Sequence, residues 1–187
     1  MTTVYIIIGI VVIILIILVS TYNALVRLRN RVKNAWAQID VQLKRRHDLI
    51  PNLVSTAKGY MTHERETFEA ITKARNLAQK AVGTGVGVQS KAEDELGSAL
   101  SRLLVVVENY PDLKANQNFL ALQEELASTE NRISFSRQYY NDSVLRYNNK
   151  TEMFPSNMMA GMMGFKASEF FEVEAAEERE VPTISFS

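Results

Sequence analysis

Cysteine is absent from this sequence and histidine is scarce. The 187 residues contain no cysteine and two histidines. The lack of cysteine excludes disulfide scaffolds, thiol nucleophiles and thiolate metal sites, and it is compatible with a reducing cytosol. Lysine plus arginine equals aspartate plus glutamate at 21 each, so the net charge neither indicates nor excludes nucleic-acid binding.

The opening segment lacks charge and is apolar over a long stretch. Every residue from Val4 to Val19 is apolar, with Gly9 the only one lacking a side chain. A membrane-spanning helix needs roughly 20 such residues, whereas a buried core helix rarely has no polar face. A cleaved signal peptide is the other alternative, but this N-terminus has no basic start and Val19-Ser20-Thr21 is a poor cleavage site. We therefore predict an uncleaved transmembrane anchor over residues 1–22.

Basic side chains begin directly after the anchor. The four nearest are Arg27, Arg29, Arg31 and Lys33. Because lysine and arginine near a span stay on the cytoplasmic side, we predict an N-terminus outside and a cytoplasmic C-terminal domain at the inner membrane. These cations, with Lys44-Arg45-Arg46 further along, could bind nucleic acid, but four of them lie beside the bilayer, and anionic lipid is the nearer partner. We expect a lipid bilayer and no nucleic acid as partner.

Apolar residues beyond the anchor recur at helical spacing. The first stripe contains Leu25, Leu28, Val32, Trp36, Ile39, Leu43, Ile50, Leu53 and Ala57. It keeps its phase across Pro51, which predicts a kink without a reversal. A second stripe begins at Phe68 and stops at the glycines of residues 82–87. Ser90-Lys91-Ala92-Glu93 has the form of a capping box and predicts the start of a third helix, and a last helix ends before Phe154-Pro155.

Two arrangements of these helices are compatible with their lengths. No strand pattern is present in the sequence. If the chain reverses near residues 59–62, the all-α fold is an N-terminal transmembrane helix followed by an antiparallel four-helix up-and-down bundle of long helices. If it does not reverse, the alternative is one very long helical hairpin. Gly59 favours the reversal only weakly, since glycine costs about 1 kcal/mol inside a helix. The domains are then residues 1–22 as anchor, 23–153 as cytosolic bundle and 154–187 as a Met-rich segment with an acidic tail.

Motifs for catalysis or metal binding are incomplete. His63-Glu64 opens a zinc-protease pattern, but that motif needs a second histidine where Thr67 stands. The residues three before His47 and His63 are not glutamates, so a di-iron pattern fails too. The glycines of residues 83–87 lack the Lys-Ser/Thr of a phosphate-binding loop. We expect no catalytic, cofactor or metal residues, with an enzyme of unrecognised type as an alternative that would require a pocket of convergent polar groups.

Methionines cluster after the last helix. The candidate contact residues there are Phe154, Met158, Met159, Met162, Met163 and Phe165. Methionine adapts to irregular apolar surfaces, so this segment could sit in the membrane interface or bind a partner helix. The alternative is that it caps the base of its own bundle. The acidic tail beyond it is typical of segments that are disordered alone and extended when bound.

Several runs of this sequence are closely similar to one family. They include residues 29–46, Asp48-Leu49-Ile50-Pro51-Asn52-Leu53-Val54, Tyr110-Pro111-Asp112-Leu113-Lys114-Ala115-Asn116, Tyr139-Tyr140-Asn141 and Phe154-Pro155-Ser156. In order and spacing they resemble the LemA family. The resemblance implies a bacterial single-pass membrane protein with an antiparallel four-helix soluble domain and favours the bundle over the hairpin. It implies no enzymatic activity, cofactor or catalytic residues.

Long helices without a catalytic site favour a function in binding. The main hypothesis is a membrane-anchored, non-enzymatic helical scaffold that binds itself, as a homo-oligomer, or other membrane or envelope proteins. The alternative is a lipid-binding or membrane-remodelling protein, because the basic start and the Met-rich segment would touch the same leaflet.

Overall fold

Helices dominate the computed structural model, which describes residues 1–171. In that range the chain forms six helices and no strand. They are α1 (Thr2–Lys58), α2 (Arg65–Ala81), α3 (Val86–Val107), α4 (Pro111–Lys114), α5 (Gln117–Glu152) and α6 (Ser156–Met163). The all-α prediction is confirmed, whereas the acidic tail from Glu172 onward lies outside the described residues.

The described chain divides into two compact units. The first contains Met1–Leu43 and Arg132–Phe170, and the second contains Lys44–Asn131 with Phe171. Helices α1 and α5 are continuous, and each contributes one end to the first unit and the other end to the second. The second unit is therefore built from the end of α1, all of α2, α3 and α4, and the start of α5.

Four helical segments surround one core in the second unit. Its buried apolar residues come from every one of them and include Ile50, Leu53, Phe68, Ile71, Leu96, Leu103, Phe119 and Leu126. Apolar residues recur at steps of three and four in each segment. Each segment therefore forms an amphipathic helix and packs its one apolar face against the others. The packing also encloses Leu113 of the short α4, which begins at Pro111, where the fixed φ of proline suits a first helical residue.

The end of α1 and helix α2 run in opposite directions. Arg75 Nε on α2 donates a hydrogen bond to the carbonyl oxygen of His47 at 2.8 Å, while Lys58 Nζ lies 5.6 Å from the ring centroid of Phe68. The chain therefore reverses between α1 and α2. The predicted reversal near residues 59–62 occurs, and the unbroken hairpin helix does not form. Helix α1 does continue through Pro51, as predicted.

The start of α3 differs from the prediction. The helix begins at Val86, after Gly85 with φ +131°, a backbone conformation that favours glycine. Ser90 and Glu93 therefore lie inside the helix, and both are buried. The capping-box prediction is wrong because the glycine-rich segment ends the loop about one turn earlier than Ser90.

The first unit packs α5 and the chain after α6 against α1. Trp36 and Tyr140 meet edge to face at a centroid distance of 5.2 Å. The Tyr140 hydroxyl donates to the carbonyl oxygen of Glu169 at 2.8 Å, and burial raises the pKa of this tyrosine to about 12, with the Glu169 carboxylate adding to the shift. Asn148 exchanges two hydrogen bonds with the backbone of Ser168, at 2.9 and 2.8 Å. These bonds fix the chain that follows α6.

The N-terminal part of α1 is long and apolar enough to cross a membrane. The best 18-residue window has a mean hydropathy of 3.2, and none of it is buried within the protein. Among residues 1–171 no other helix meets these criteria. A fully exposed run of isoleucine, valine and leucine requires an apolar solvent, which a bilayer supplies.

Candidate functional sites

Charged side chains from three helices meet inside the second unit. Arg46 Nη1 donates to both carboxylate oxygens of Glu130, at 3.0 and 3.2 Å. Arg46 Nη2 donates to the backbone carbonyl of Glu93 at 3.1 Å and also to its carboxylate. His47 Nε2 lies 2.9 Å from the other carboxylate oxygen of Glu93. We call Arg46, His47, Glu93 and Glu130 the ionic cluster.

Electrostatics keep the centre of the ionic cluster ionised. Burial alone would raise the pKa of Glu93, but the His47 hydrogen bond and the charges of Arg46 and His47 outweigh it, so this pKa lies below its usual value. The Glu93 side chain is completely buried and that of Arg46 is 2% exposed. A paired carboxylate out of reach of solvent is poorly suited to act on a substrate, and the arrangement is that of a structural ion network.

A groove on the surface of the second unit combines apolar and basic side chains. It has a volume of about 880 Å³ and lies between the end of α1, the following turn and α2. Leu77 supplies its exposed apolar surface, while Met61 and Phe68 border the groove from the core and are themselves buried. Its basic members are Lys58, Arg65, Lys73 and Lys80. We call this feature the basic groove.

The charge of the basic groove is unbalanced. Glu69 is the one acidic side chain among the described groove residues, and Arg65 Nε already donates to it at 2.6 Å. Three lysines thus remain around an apolar strip in which Leu77 is 42% exposed. Such a surface is complementary to a segment that is both acidic and apolar.

The structure separates the Met-rich residues into two sets. Met159 and Phe165 are buried within the first unit. The exposed set contains Phe154, Met158, Met162 and Met163, which are between 56% and 81% exposed. Four of the six side chains are thus exposed and available for contact with a membrane or partner, and that contact stays a prediction.

The predicted membrane-side cations are exposed. Arg27, Arg29, Arg31 and Lys33 are all on the surface of α1, and the Arg29 guanidinium carbon lies 5.1 Å from the Phe165 ring centroid. The second basic run is different. Arg45 pairs with Glu125, and Arg46 is buried in the ionic cluster, so it is not the surface cation that its neighbours suggested.

No motif in the sequence indicated the ionic cluster, although the position of its charged residues along the apolar stripes is a signal for it. Arg46 stands three residues after Leu43 and four before Ile50, on the apolar stripe of α1. Glu93 precedes Leu96 by three residues, and Glu130 lies four residues after Leu126 and three before Ile133. A charge inside an apolar stripe indicates a buried partner, because an unpaired buried charge is costly.

The histidines take different positions. His47 belongs to the ionic cluster, whereas His63 is exposed in the turn between α1 and α2. Within residues 1–171 there is no group of three or more histidine, aspartate or glutamate side chains placed to hold a metal ion.

These observations define a helical membrane protein with an N-terminal apolar helix and, among residues 1–171, a mostly buried ion network. The chain belongs to the LemA family, whose model matches residues 35–186. It is 29% identical to Protein LemA of Metamycoplasma hominis over 88% of this chain and 75% of that protein. It is 25% identical to Magnetosome protein MamQ 1 of Paramagnetospirillum magneticum over 89% of this chain and 70% of that protein. Magnetosome protein MamQ of Magnetospirillum gryphiswaldense is 24% identical with the same coverage.

Proposed function

We propose that this protein is a membrane-anchored scaffold that binds other proteins at the cytoplasmic face of a bacterial inner membrane. The basic groove is the observation that carries the proposal. It offers the exposed apolar side chain of Leu77 and a surplus of positive charge, without a convergent set of catalytic groups among its described residues.

The anchor and the relatives support a binding role. A helix with a fully exposed apolar part supports a position at the membrane, and the cations from Arg27 to Lys33 support a cytoplasmic location for the rest of the chain. The relatives are named as a magnetosome protein and as Protein LemA, and neither name denotes an enzyme.

The partner segment is proposed to be acidic and apolar at once. Carboxylates of the partner would meet Lys58, Lys73 and Lys80, while its apolar side chains would cover Leu77. Charge complementarity of this kind sets partner choice and association rate more than affinity, so binding should weaken with added salt. A second copy of the chain qualifies as the partner, since its own residues 172–180 carry five glutamates.

Site-specific photo-crosslinking in cells tests this proposal. In the full-length protein, a photo-crosslinking amino acid replaces Leu77 in one variant and Leu120 in the matched control. Leu120 is similarly exposed, at 47%, but it lies on α5 outside the groove. We expect a discrete adduct from position 77 that disappears when Lys73→Glu and Lys80→Glu are added, and no such adduct from position 120.

The mass of the adduct identifies the partner class. An adduct of twice the chain mass means self-association, and any other discrete mass means a different protein. Equal labelling from positions 77 and 120, or an adduct that persists after charge reversal, would contradict binding through the groove.

A further inference from the structure

A segment without charged side chains follows α5. From Met153 to Phe165 the polar side chains are those of Ser156 and Asn157, and none is ionisable. Helix α6 buries Ser156, Met159 and Ala160 against its own unit. Phe154 in the turn before α6 and Met158 and Met162 on α6 are 78%, 63% and 81% exposed, and we call these three residues the apolar stripe. An exposed helix with no charge is unusual in water, and its environment requires an explanation.

Phe165 fixes where α6 lies along α1. The backbone N–H of Phe165 donates to the carbonyl oxygen of Ala160 at 2.9 Å, and Gly164 between them ends the helix at φ +70°. The Phe165 ring meets Tyr22 edge to face at 5.9 Å and also lies 5.1 Å from the Arg29 guanidinium carbon. All of these residues belong to the first unit, so α6 is held beside residues 22–29 of α1.

Residues 22–29 correspond to the edge of the bilayer. A span of roughly 20 residues beginning at Thr2 ends near Tyr22, and seven residues of helix extend about 10 Å beyond it. The headgroup layer on each side of the hydrocarbon core is roughly 5–8 Å thick. Phe165 is held between Tyr22 and Arg29 and therefore lies at the depth of that layer.

We propose that α6 is a lipid-contact helix and that the apolar stripe of Phe154, Met158 and Met162 inserts into the interfacial layer of the leaflet next to the first unit. Lipid is the occupant because Phe165, directly after α6, contacts Tyr22 at the end of the apolar part of α1. Methionine and phenylalanine suit an irregular interface, while Arg29, which lies against Phe165, and Lys166, which follows Phe165 in sequence, can meet anionic headgroups. This contact is separate from the basic groove and does not depend on it.

Spin labelling of the full-length protein in vesicles tests the insertion. Since the chain has no cysteine, Met162→Cys gives a single labelling site without further changes. The matched control is Phe135→Cys, where the side chain is 73% exposed on α5, about 26 Å before the end of that helix. Vesicles contain phosphatidylglycerol and phosphatidylethanolamine, and nitroxide collision is measured with oxygen and with a water-soluble nickel chelate.

Oxygen concentrates in lipid and the nickel chelate stays in water, so their ratio reports the environment of each label. We expect oxygen to dominate at position 162 and the nickel chelate to dominate at position 135. Met158→Cys should behave like Met162→Cys, which guards against a local effect of one substitution. Dominance of the nickel chelate at both 158 and 162 would overturn the proposal and leave a protein partner as the occupant of the stripe.

Discussion

Arg46 satisfies two carboxylates on two other helices, and this arrangement does more for specificity than for net stability. Removing an arginine and a glutamate from water costs several kcal/mol per ion, and their attraction returns that only with good geometry. The guanidinium donates to Glu93 and Glu130 together, so only one relative position of α1, α3 and α5 satisfies it. Apolar stripes alone would tolerate a shift by one turn, and the ionic cluster selects the register.

Removing the central carboxylate charge should destabilise the second unit strongly. Glu93→Gln leaves the buried Arg46 and His47 without their shared anion, and breaking a buried pair costs about 3–5 kcal/mol. Urea unfolding of the full-length protein in detergent, followed by circular dichroism, measures the loss. Glu69→Gln is the control, since its ion pair with Arg65 is exposed and its removal should cause no measurable change. Equal stability of both variants would refute the role of the cluster.

Acid should weaken the same cluster. The pKa of Glu93 is lower in the folded protein than its usual value, because the bonds and charges of His47 and Arg46 outweigh the effect of burial. A carboxylate with a lowered pKa stabilises the fold above its unfolded-state pKa, and this contribution is lost as the pH falls through the folded value. We expect the urea concentration at the unfolding midpoint to decrease once the pH is lowered below about 4. The decrease should be less steep in Glu93→Gln. Identical pH profiles would show that Glu93 does not contribute.

For single residues, the sequence indicates that some charges are buried but does not show which charges pair. Arg46 and Glu93 each interrupt an apolar stripe, which signals burial, but the stripe does not say which charge meets which. Ser90-Lys91-Ala92-Glu93 matched a capping box because spacing alone cannot tell a helix start from a helix interior. The pairing required the helices to be placed in three dimensions.

Glycines set the boundary of α3, and this is the element that the sequence placed incorrectly. Gly85 has φ +131° and ψ 152°, a region in which a side chain is strained, whereas Gly97 is helical with nothing within 4 Å of an added Cβ. The two glycines therefore occupy opposite situations in one element, a loop end and a helix interior.

Alanine substitution should separate these two glycines. Gly85→Ala forces a backbone conformation that costs about 1–3 kcal/mol, while Gly97→Ala should stabilise by about 0.5–1 kcal/mol because alanine restricts the unfolded chain and favours helix. Thermal unfolding of the two variants in the same detergent compares them directly. A start of α3 at Ser90 would instead make Gly85→Ala harmless.

Helices α1, α2 and α5 followed from periodicity, whereas the short helices α4 and α6 were not predicted. Residues at three- and four-residue steps, such as Leu53 and Ala57, are buried where the stripe predicted, and α1 passes through Pro51 because the stripe keeps its phase there. The reversal after Lys58 could not be decided from Gly59 alone, because one glycine costs too little to end a helix. Packing of Phe68 and Ile71 into the core of the second unit selects the turn.

For the whole molecule, membrane attachment determines which surfaces can contact lipid and which can bind a protein partner. The anchor, the exposed cations of α1 and the apolar stripe of Phe154, Met158 and Met162 all belong to the first unit, whereas the basic groove belongs to the second. Membership of the LemA family and the all-helical fold agree with the sequence prediction. Partner identity was not predictable, since an amphipathic groove specifies the chemistry of a segment and not the protein that carries it.

Cysteine accessibility in intact spheroplasts tests the orientation on which the proposed function depends. Asn109→Cys in the exposed turn between α3 and α4 gives a single-cysteine variant, which is treated with a membrane-impermeant maleimide before and after permeabilisation. We predict labelling of position 109 only after permeabilisation. Labelling of position 109 without permeabilisation would place the helical domain outside the cytoplasm and contradict the account.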